Sequence, residues 1–485
     1  MLDSHSLQAL KDVVGPAGWL EATVDTDPYC HDFRKLYTGA TPLVLRPDSV
    51  LGVSAIMTLC ASNRISVVPH GGNTGYCGGA TPRAGYAEIV LSLERLKRVR
   101  NMDAAGYTIT VDAGCTLASV QAAAIEAKRY FPLSVGSEGT CQIGGNLSTN
   151  AGGTAVVRYG MMRDLVLGLE VVLPDGSILN QLSKLRKDNT GYDCKQLFLG
   201  AEGTLGVITG ACLKLFPQPT DYITAFIAVD GMAAAVKLLA HIRNEFGDSL
   251  ETFEYIPNIA YELVLKHCSQ TSRPFDHPYT GYVLLEFATS VLASEYAVSL
   301  ERCLENYLSD GTVRDVVLAR SGLQRDSLWL LRESIPHAQS LEGASIKHDV
   351  SLPIAQLASF ADKARTVIER LLPQARVVAY GHVGDGNLHF NISPPVSTSK
   401  GSAQEHDFLS RQEHVTRELL DLVSSFNGSF SAEHGIGQLK VTELERYEDP
   451  TALSLMQLIK HAIDPLNIMN PGKVIGSSPL KRREA

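Results

Sequence analysis

The stretch PHGGNTGYCGG, Pro69 to Gly79, indicates what kind of domain opens this chain. The residues before it predict a strand, a helix that begins after Pro47-Asp48, and a second strand that ends at Pro69, so a βαβ-like unit closes on a glycine loop. Two similar loops follow, VGSEGTCQIGGNLSTNAGG at 135–153 and GAEGTLG at 200–206. Glycines let backbone N–H groups approach an anion closely, and Asn, Ser and Thr add short donors. The three loops together predict a site that wraps a long ligand carrying a pyrophosphate and a polar ring.

The usual nucleotide motifs are missing from these loops. Neither the Rossmann pattern G-x-G-x-x-G nor the Walker pattern G-x-x-x-x-G-K-[ST] occurs in the sequence. An ordinary NAD site and a P-loop ATPase are therefore disfavoured.

Composition narrows the class of protein further. The net charge of −9 argues against a nucleic-acid partner, although a local basic pocket could still hold an acidic substrate. The first residues, MLDSHSLQALKDVV, predict a capped amphipathic helix rather than a secretory signal. We find no apolar run of about 18 residues, so no membrane span is expected. The nine cysteines form no CxxC pair, which disfavours iron–sulfur ligation and a disulfide framework and predicts a reduced, cytoplasmic setting.

The length of 485 residues predicts more than one domain. The glycine loops stop near Pro217, and strand-like runs such as ITAFIAVD then alternate with helical ones such as Met232 to Phe246. This pattern resembles an antiparallel sheet covered by helices. We therefore predict an α+β protein with a two-part domain at 1–218, a cap or substrate domain at 219–449, and a C-terminal segment at 450–485 that returns to the first domain.

The stretch AYGHVGDGNLHFNI, Ala379 to Ile392, predicts a β-hairpin. If Asp385-Gly386 forms a two-residue turn, His382 and His389 become a cross-strand pair with Cβ atoms about 5 Å apart. Strand alternation then places Asn391 on the same face. Two imidazoles at that distance could hold a divalent metal or a substrate, and two hydrogen-bonded histidines at a sheet edge remain the alternative.

A second polar cluster stands between glycines in SAEHGIGQ, Ser431 to Gln438. Glu433 would complete a two-histidine, one-carboxylate metal set with the hairpin. His434 is then left over as a candidate base.

These motifs together resemble a known family. PHGGNTG, GSEGTCQIGGNLSTNAGG, NTGYD, GAEGTLGVIT and NPGK are similar to the FAD-binding domain of the vanillyl-alcohol oxidase and p-cresol methylhydroxylase type. GHVGDGNLH and SAEHGIG resemble the FAD-linked D-2-hydroxy acid dehydrogenases, closest to D-2-hydroxyglutarate dehydrogenases. The resemblance extends from about Tyr37 to Lys473.

The resemblance implies a noncovalent FAD, because covalent attachment in this fold generally uses a differently placed histidine. It also assigns residues to the cofactor. These are Gly71, Gly72, Asn73, Thr74 and Gly75 at the pyrophosphate, Gly136, Ser137, Gly144, Gly145 and Asn146 at the flavin, and Gly203, Thr204, Ile208 and Asn470 around the cofactor. His70, which stands where relatives vary, is also expected to bind the cofactor.

The resemblance further implies a metal-assisted oxidation. His382, His389 and Glu433 would hold zinc or a similar divalent ion, and the substrate hydroxyl would bind there. His434 would take the hydroxyl proton while hydride leaves for flavin N5. Asn391 would hold the C1 carboxylate of the 2-hydroxy acid.

Two cationic residues indicate what the substrate carries at the end remote from its hydroxyl group. Arg332 and Lys347 resemble an arginine and a lysine that bind a second carboxylate in D-2-hydroxyglutarate dehydrogenases, although Pro336 stands where that family has a threonine. The expected reaction is D-2-hydroxyglutarate to 2-oxoglutarate. Surface salt bridges are the alternative role for both cations.

Rival functions share the fold. D-lactate or glycolate dehydrogenase would use the same chemistry on a monocarboxylate, and a transferase like alkylglycerone-phosphate synthase is less favoured because its run of adjacent histidines is missing here. With no NAD motif, the expected electron acceptor is an electron-transfer flavoprotein or a quinone-linked chain. The sequence leaves a homodimer open.

Overall fold

The structure is a computed structural model that describes residues 3–289 and 293–476. The chain forms two compact units. Unit 1 contains the chain up to Gly152, Met161 to Gln218 and the part from Glu433 onward, and unit 2 contains Gly153 to Gly160 and Pro219 to Ala432. The units therefore differ from the predicted segments at two places, since the short helix after Gly152 belongs to unit 2 and residues 433–449 belong to unit 1.

Helices and strands both occur throughout most of the described chain, and only helices follow the last strand. The α-helices are α1 (Ser4–Val14), α2 (Thr23–Thr26), α3 (Val50–Asn63), α4 (Leu117–Glu126), α5 (Ile143–Ser148), α6 (Val156–Tyr159), α7 (Met232–Phe246), α8 (Asn258–His267), α9 (Ala293–Ser309), α10 (Gly322–Glu333), α11 (Ile335–Leu341), α12 (Leu357–Leu371), α13 (Ala403–Ser410), α14 (Gln412–Ser425), α15 (Val441–Tyr447) and α16 (Pro450–Ile463). The β-strands are β1 (Trp19–Leu20), β2 (Val44–Leu45), β3 (Ser66–His70), β4 (Glu88–Ser92), β5 (Val99–Asp103), β6 (Thr108–Asp112), β7 (Arg129–Tyr130), β8 (Val166–Val172), β9 (Ile178–Gln181), β10 (Val207–Lys214), β11 (Phe216–Pro217), β12 (Asp221–Val229), β13 (Leu250–Pro257), β14 (Gly281–Thr289), β15 (Asp315–Leu318), β16 (Ile346–Ser351), β17 (Arg376–Tyr380) and β18 (Asn387–Ser393).

Unit 1 contains the predicted βαβ unit. Strands β2, β4 and β3 pair in parallel, and α3 connects β2 to β3. The Ser49 hydroxyl caps α3 by accepting from the N–H of Gly52, which explains why the helix begins just after Pro47-Asp48. A second sheet is antiparallel with the order β5-β6-β10-β8-β9. The predicted helix at the start of the chain is also confirmed as α1, capped by Asp3.

Unit 2 contains the predicted antiparallel sheet. Its order is β13-β14-β12-β15, and all nine residues of β14 are buried. Helices α8, α10 and α11 pack on this sheet through an apolar core that includes Phe226, Tyr261, Tyr282 and Leu331. Arg332 follows Leu331 in the last turn of α10, so packing of the core fixes the backbone that carries this cation.

A second sheet in unit 2 has the order β16-β18-β17 and carries several predicted site residues. Tyr380 of β17 and Asp349 of β16 both pair with His389 of the central strand β18. Lys347 pairs with Asn391 two residues further along β18. Residues two apart in a strand point to the same face, so all five side chains lie on one face of this sheet.

The predicted hairpin turn is wrong. Strand β17 ends at Tyr380, and six residues, Gly381 to Gly386, connect it to β18. His389 therefore pairs with Tyr380, while His382 lies in the connection and not in a strand. The cause is that the connection folds on itself, with the His382 carbonyl accepting from the N–H groups of Asp385 and Gly386. Asp385-Gly386 is thus the end of a longer loop.

In the described part of the chain, no helix combines the length and the apolar character that crossing a membrane requires.

Candidate active site

The three glycine loops of unit 1 meet in space. A Cβ atom on Gly72 would lie 2.1 Å from the carbonyl oxygen of Thr140, so the first loop touches the second too closely for any side chain. The N–H of Glu202 in the third loop donates to the Ser148 carbonyl at the end of α5 (2.8 Å). Asn470 donates its side-chain amide to the carbonyls of Gly79 (3.0 Å) and Glu202 (2.8 Å). The tail therefore ties the first and third loops together.

Several features of these loops fit a bound cofactor. Cβ atoms on Gly75, Gly136 and Gly145 would meet no atom of the described residues within 4 Å, so these residues give no steric reason for glycine at the three positions. Both ring nitrogens of His70 and the side-chain oxygen of Gln142 are buried, and none of these atoms has a hydrogen-bond partner of ordinary geometry among the residues that the structure describes. Buried polar atoms normally have partners, so open space and orphaned atoms together mark a cradle for a polar ligand.

His70 and Gln142 line a cavity of about 580 Å³. Burial lowers the pKa of His70 to about 4, so the ring is neutral at physiological pH. The residues that line the cavity are Leu20, Val24, Asp25, Pro28, Tyr29, Arg46, His70, Gly71, Gly72, Glu94 and Gln142.

Other predicted cofactor residues have protein partners. Asn73 donates its amide to the His31 carbonyl (2.7 Å), and Asn146 donates to the sulfur of Cys141 (3.6 Å). Thr204 closes its own turn by donating to the Ala201 carbonyl (2.7 Å). Ile208 lies in β10, paired with β8, and is buried. Sequence alone did not separate these structural contacts from direct ligand contacts.

Glu202 holds the segment that carries His434. Its carboxylate accepts the N–H groups of Ile436 (2.7 Å) and Gly437 (2.8 Å). The His434 ring lies edge-on to Tyr76 of the first glycine loop, with ring centroids 4.6 Å apart. The candidate base therefore stands beside the cofactor cradle. Sequence analysis gave Glu202 no role of its own, and its only signal was an acid inside a glycine loop.

Two imidazoles in unit 2 face each other. The ring centroids of His382 and His389 are 5.3 Å apart, and a nitrogen of one ring lies within 4.8 Å of a nitrogen of the other. Each ring also presents Nδ1 to a buried carboxylate. Nδ1 of His382 is 2.5 Å from Glu254, and Nδ1 of His389 is 3.6 Å from Asp349.

This donor set fits a divalent cation. A carboxylate only accepts, so Nδ1 of His382 carries the proton and the ring lone pair is on Nε2. Histidines that bind metals typically have such a carboxylate or carbonyl partner behind them. The predicted approach of His382 and His389 is thus present, although the turn between them differs from the prediction.

Glu254 connects this pair to Arg332. It is completely buried in β13 and accepts the Nε–H of Arg332 (2.7 Å) as well as the Nδ1–H of His382. Burial by itself raises the pKa of the Glu254 carboxyl, but the interactions with His382 and Arg332 outweigh this effect and lower the pKa to about 2. The Arg332 guanidinium also lies 4.9 Å from the centre of the Tyr380 ring, which is 5.1 Å from the His389 ring. One buried anion therefore contacts both the cation and one imidazole of the pair.

Asn391 is held by a residue that sequence analysis missed. Its side-chain amide donates to the side-chain oxygen of Gln339 in α11 (2.9 Å). Both residues are buried, and the amide nitrogen of Gln339 has no partner among the described residues. Glu254 and Gln339 are remote from the glycine-rich motifs in the sequence, so no local pattern indicated a role for either residue.

Comparison with known proteins gives two family matches. A family described as FAD binding domain matches residues 41–181. A family described as FAD linked oxidases, C-terminal domain, matches residues 218–474.

Similar curated proteins cover nearly the whole chain. The mitochondrial D-2-hydroxyglutarate dehydrogenase of Arabidopsis thaliana is 36% identical over 478 residues, 98% of this chain and 82% of that protein. The mitochondrial D-2-hydroxyglutarate dehydrogenase of Bos taurus is 38% identical over 477 residues, 98% and 84% of the two chains. The D-2-hydroxyglutarate dehydrogenase of Xanthomonas citri pv. viticola is 37% identical over 452 residues, which are 93% of this chain and 92% of that protein.

Among solved structures, p-cresol methylhydroxylase with substrate bound has a TM-score of 0.74 at 16% identity, covering 97% of this chain and 96% of that one. This similarity concerns the fold alone. It confirms the predicted α+β architecture of the vanillyl-alcohol oxidase type.

The predicted cytoplasmic setting is wrong. Both eukaryotic relatives are named as mitochondrial proteins, whereas the name of the bacterial relative gives no compartment. All nine cysteines lie in the described part of the chain, and none of them forms a disulfide there. Free thiols distinguish reducing from oxidising compartments, and they do not separate the cytoplasm from the mitochondrial matrix.

Proposed function

This chain belongs to the FAD-linked oxidases, in the branch of the D-2-hydroxyglutarate dehydrogenases, and from that premise we propose that it oxidises D-2-hydroxyglutarate to 2-oxoglutarate. One observation supports the choice of a dicarboxylate. A buried arginine, Arg332, contacts the same carboxylate, Glu254, as His382 of the imidazole pair. A monocarboxylate such as D-lactate has no second carboxylate that Arg332 could bind.

The first step of binding is recognition of the two carboxylates. Arg332 offers a planar guanidinium that suits a carboxylate, and Lys347 is exposed on the same sheet face as Asn391. Pro336, near the start of α11, has no hydroxyl to add. A neutral hydrogen bond contributes only about 0.5–1.5 kcal/mol. The loss of the threonine hydroxyl at this position therefore leaves the charges of Arg332 and Lys347 as the main source of selectivity for a dicarboxylate. Asn391, held by Gln339, is assigned to the C1 carboxylate.

The second step is removal of the hydroxyl proton, which we assign to His434. An imidazole with a pKa near 6.5 is a suitable base at neutral pH. When bound, FAD supplies the acceptor for the hydride that leaves Cα. His434→Ala should keep FAD but lower kcat by roughly 10²–10⁴-fold. An unchanged kcat would remove His434 from this role.

We also propose a divalent metal, zinc or a similar ion, bound by His382, His389 and Glu433. Ala432, the residue before Glu433, donates its N–H to the Asp349 carbonyl (3.2 Å), and the Asp349 side chain lies beside His389. Such an ion would supply Lewis-acid polarisation of the substrate hydroxyl. Chelation should abolish turnover while FAD stays bound, and full activity in a metal-free sample would contradict the proposal.

The remaining assignments concern the cofactor and its reoxidation. We propose that FAD is bound noncovalently and that an electron-transfer flavoprotein or a quinone-linked chain accepts its electrons. A homodimer remains compatible with this proposal. Purified protein assayed with each acceptor in turn would identify the one that supports turnover.

The substrate proposal is tested by a dye-reduction assay with a panel of D- and L-2-hydroxy acids. D-2-hydroxyglutarate should give the highest kcat/KM, followed by D-malate and then D-lactate. Arg332→Ala should raise KM for the dicarboxylate far more than KM for D-lactate. Equal losses on both substrates would show that Arg332 does not bind the second carboxylate, and a D-lactate-type dehydrogenase would then be the better description.

A further inference from the structure

The loop that carries His382 is attached to the strand that carries Glu254. Tyr255 of β13 and Gly381 exchange two backbone hydrogen bonds (2.9 and 3.1 Å), and the N–H of Gly384 donates to the Phe253 carbonyl (3.2 Å). His382 lies between these attachment points. The backbone therefore brings its ring to Glu254, the residue between Phe253 and Tyr255.

Arg332 reaches the same carboxylate from the end of α10. Its side chain is 8% exposed and that of Glu254 is 0% exposed, so water does not compete for the contact. The two oxygens of Glu254 are divided between the two partners, with Oε1 facing His382 and Oε2 facing Arg332. A single buried anion thus contacts two residues to which the proposed function gives different tasks.

We propose that Glu254 is a positioning residue that sets metal affinity and dicarboxylate selectivity together. This inference rests on the proposed function, since it concerns how His382 and Arg332 perform their assigned roles. Glu254 itself touches neither metal nor substrate in this assignment.

The chemistry of each contact explains the effect. Oε1 accepts from Nδ1, so it fixes the tautomer of His382 that carries a lone pair on Nε2 and also fixes the ring plane. Oε2 accepts from Nε of Arg332, so it fixes the plane of the guanidinium. Because both contacts belong to one side chain, they should be lost or retained together.

Glu254→Gln is the decisive variant. Its side chain keeps the shape of glutamate but is neutral, so the contacts with His382 and with Arg332 both lose the negative charge that strengthens them, and the NH2 group must in addition face one of the two donors. Loss of such a partner typically costs 10–100-fold in metal affinity, so we expect the zinc dissociation constant to rise by roughly that factor. We also expect the ratio of KM for D-2-hydroxyglutarate to KM for D-lactate to rise by roughly tenfold, because a hydrogen bond between charged groups is lost at Arg332.

Glu286→Gln is the matched control. Glu286 is likewise buried in a strand of the same sheet and is bound by an arginine, Arg325, at 2.7 Å. It also accepts from Trp329 and Thr224, and these three partners are not among the assigned site residues. Both variants should lower the melting temperature, whereas only Glu254→Gln should change zinc affinity and the KM ratio.

The outcomes separate this inference from the proposed function. If Glu254→Gln melts lower but keeps both zinc affinity and the KM ratio, as Glu286→Gln should, Glu254 is merely structural and the inference is wrong. A change in only one of the two readouts would also overturn the coupling. His382→Ala and Arg332→Ala test the premise, because unchanged zinc content and KM ratio in these variants would contradict the proposed function itself, and the inference would fall with it.

Discussion

Some glycines in the cofactor loops stand at positions where the fold alone does not require glycine. Gly145 lies inside α5, where glycine is less favourable than alanine by roughly 0.5–1 kcal/mol. A Cβ atom there would meet nothing within 4 Å. The protein thus accepts a less favourable helix residue next to open space, which is the expected arrangement where a ligand approaches the backbone.

Gly145→Ala should therefore have opposite effects on the apoprotein and on cofactor binding. The free energy of unfolding of the apoprotein should rise by about 0.4–1 kcal/mol. The methyl group should weaken FAD binding by a factor of roughly 5–150, since overpacking costs about 1–3 kcal/mol. Urea unfolding and a flavin titration would measure the two effects.

Gly144→Ala is the control for this prediction. A Cβ atom at Gly144 would lie 2.9 Å from the Cβ of Ala113, so this variant should destabilise the apoprotein. Unchanged FAD affinity in Gly145→Ala would show that the open space is not part of the cofactor site.

His70 gives a prediction about pH. Its pKa is lowered to about 4 by burial, from an ordinary value near 6.5. Between these values the unfolded chain binds a proton that the folded chain does not, so the free energy of unfolding should fall as the pH drops from about 6.5 to about 4. The loss contributed by His70 should approach about 3 kcal/mol, at about 1.4 kcal/mol per pKa unit.

His70→Gln should remove this part of the pH dependence. The measurement is urea unfolding at a series of pH values, comparing the slope of the variant with that of the original protein. Parallel slopes would mean that His70 does not stay neutral in the folded chain.

At the scale of elements, the connection from Gly381 to Gly386 shows where sequence reasoning failed. The dipeptide Asp385-Gly386 is typical of a two-residue turn, and the alternating apolar residues around it are typical of strands. The real connection is longer because Gly381 bonds to Tyr255 in β13, a strand more than a hundred residues earlier in the chain. A local pattern contains no information about such a partner.

Gly386 should be required for the geometry of this connection. Its φ is +91°, and a Cβ atom would lie 2.4 Å from the carbonyl oxygen of Leu352. Gly386→Ala must therefore displace the backbone next to His382. We expect a clear loss of metal affinity together with destabilisation of more than about 1–3 kcal/mol, the range for a strained backbone alone.

Gly401→Ala is the matched control in the same unit. Gly401 also has a positive φ, +75°, but a Cβ atom there would meet nothing within 4 Å. The Gly401→Ala variant should therefore lose stability only through backbone strain, and its metal site should stay intact. Isothermal titration with zinc would separate the two variants, and equal zinc affinities would argue against a role of the connection in placing His382.

At the scale of the whole molecule, the sequence could predict what short stretches determine. The glycine loops, the βαβ unit and the antiparallel sheet of unit 2 all follow from local composition and periodicity. The contact of Glu254 with His382 joins residues 128 apart, and its contact with Arg332 joins residues 78 apart. Such contacts depend on how strands and helices of different parts of the chain pack, so a single sequence without its fold does not reveal them.

The last prediction concerns the holoprotein as a whole. We expect acid denaturation to release intact FAD into solution, because the cofactor is held by loops that exist only in the folded chain. The first and second loops meet at Gly72 and Thr140, and Asn470 links the third loop to the first. Unfolding separates the three loops and therefore removes the whole binding site at once. The measurement is flavin absorbance in the supernatant and in the precipitate after acid treatment. His70 lines the cavity beside the first loop and is the residue to test for covalent attachment. If flavin stays with the precipitate of the original protein but not with that of His70→Ala, the cofactor is covalently bound and the noncovalent proposal is wrong.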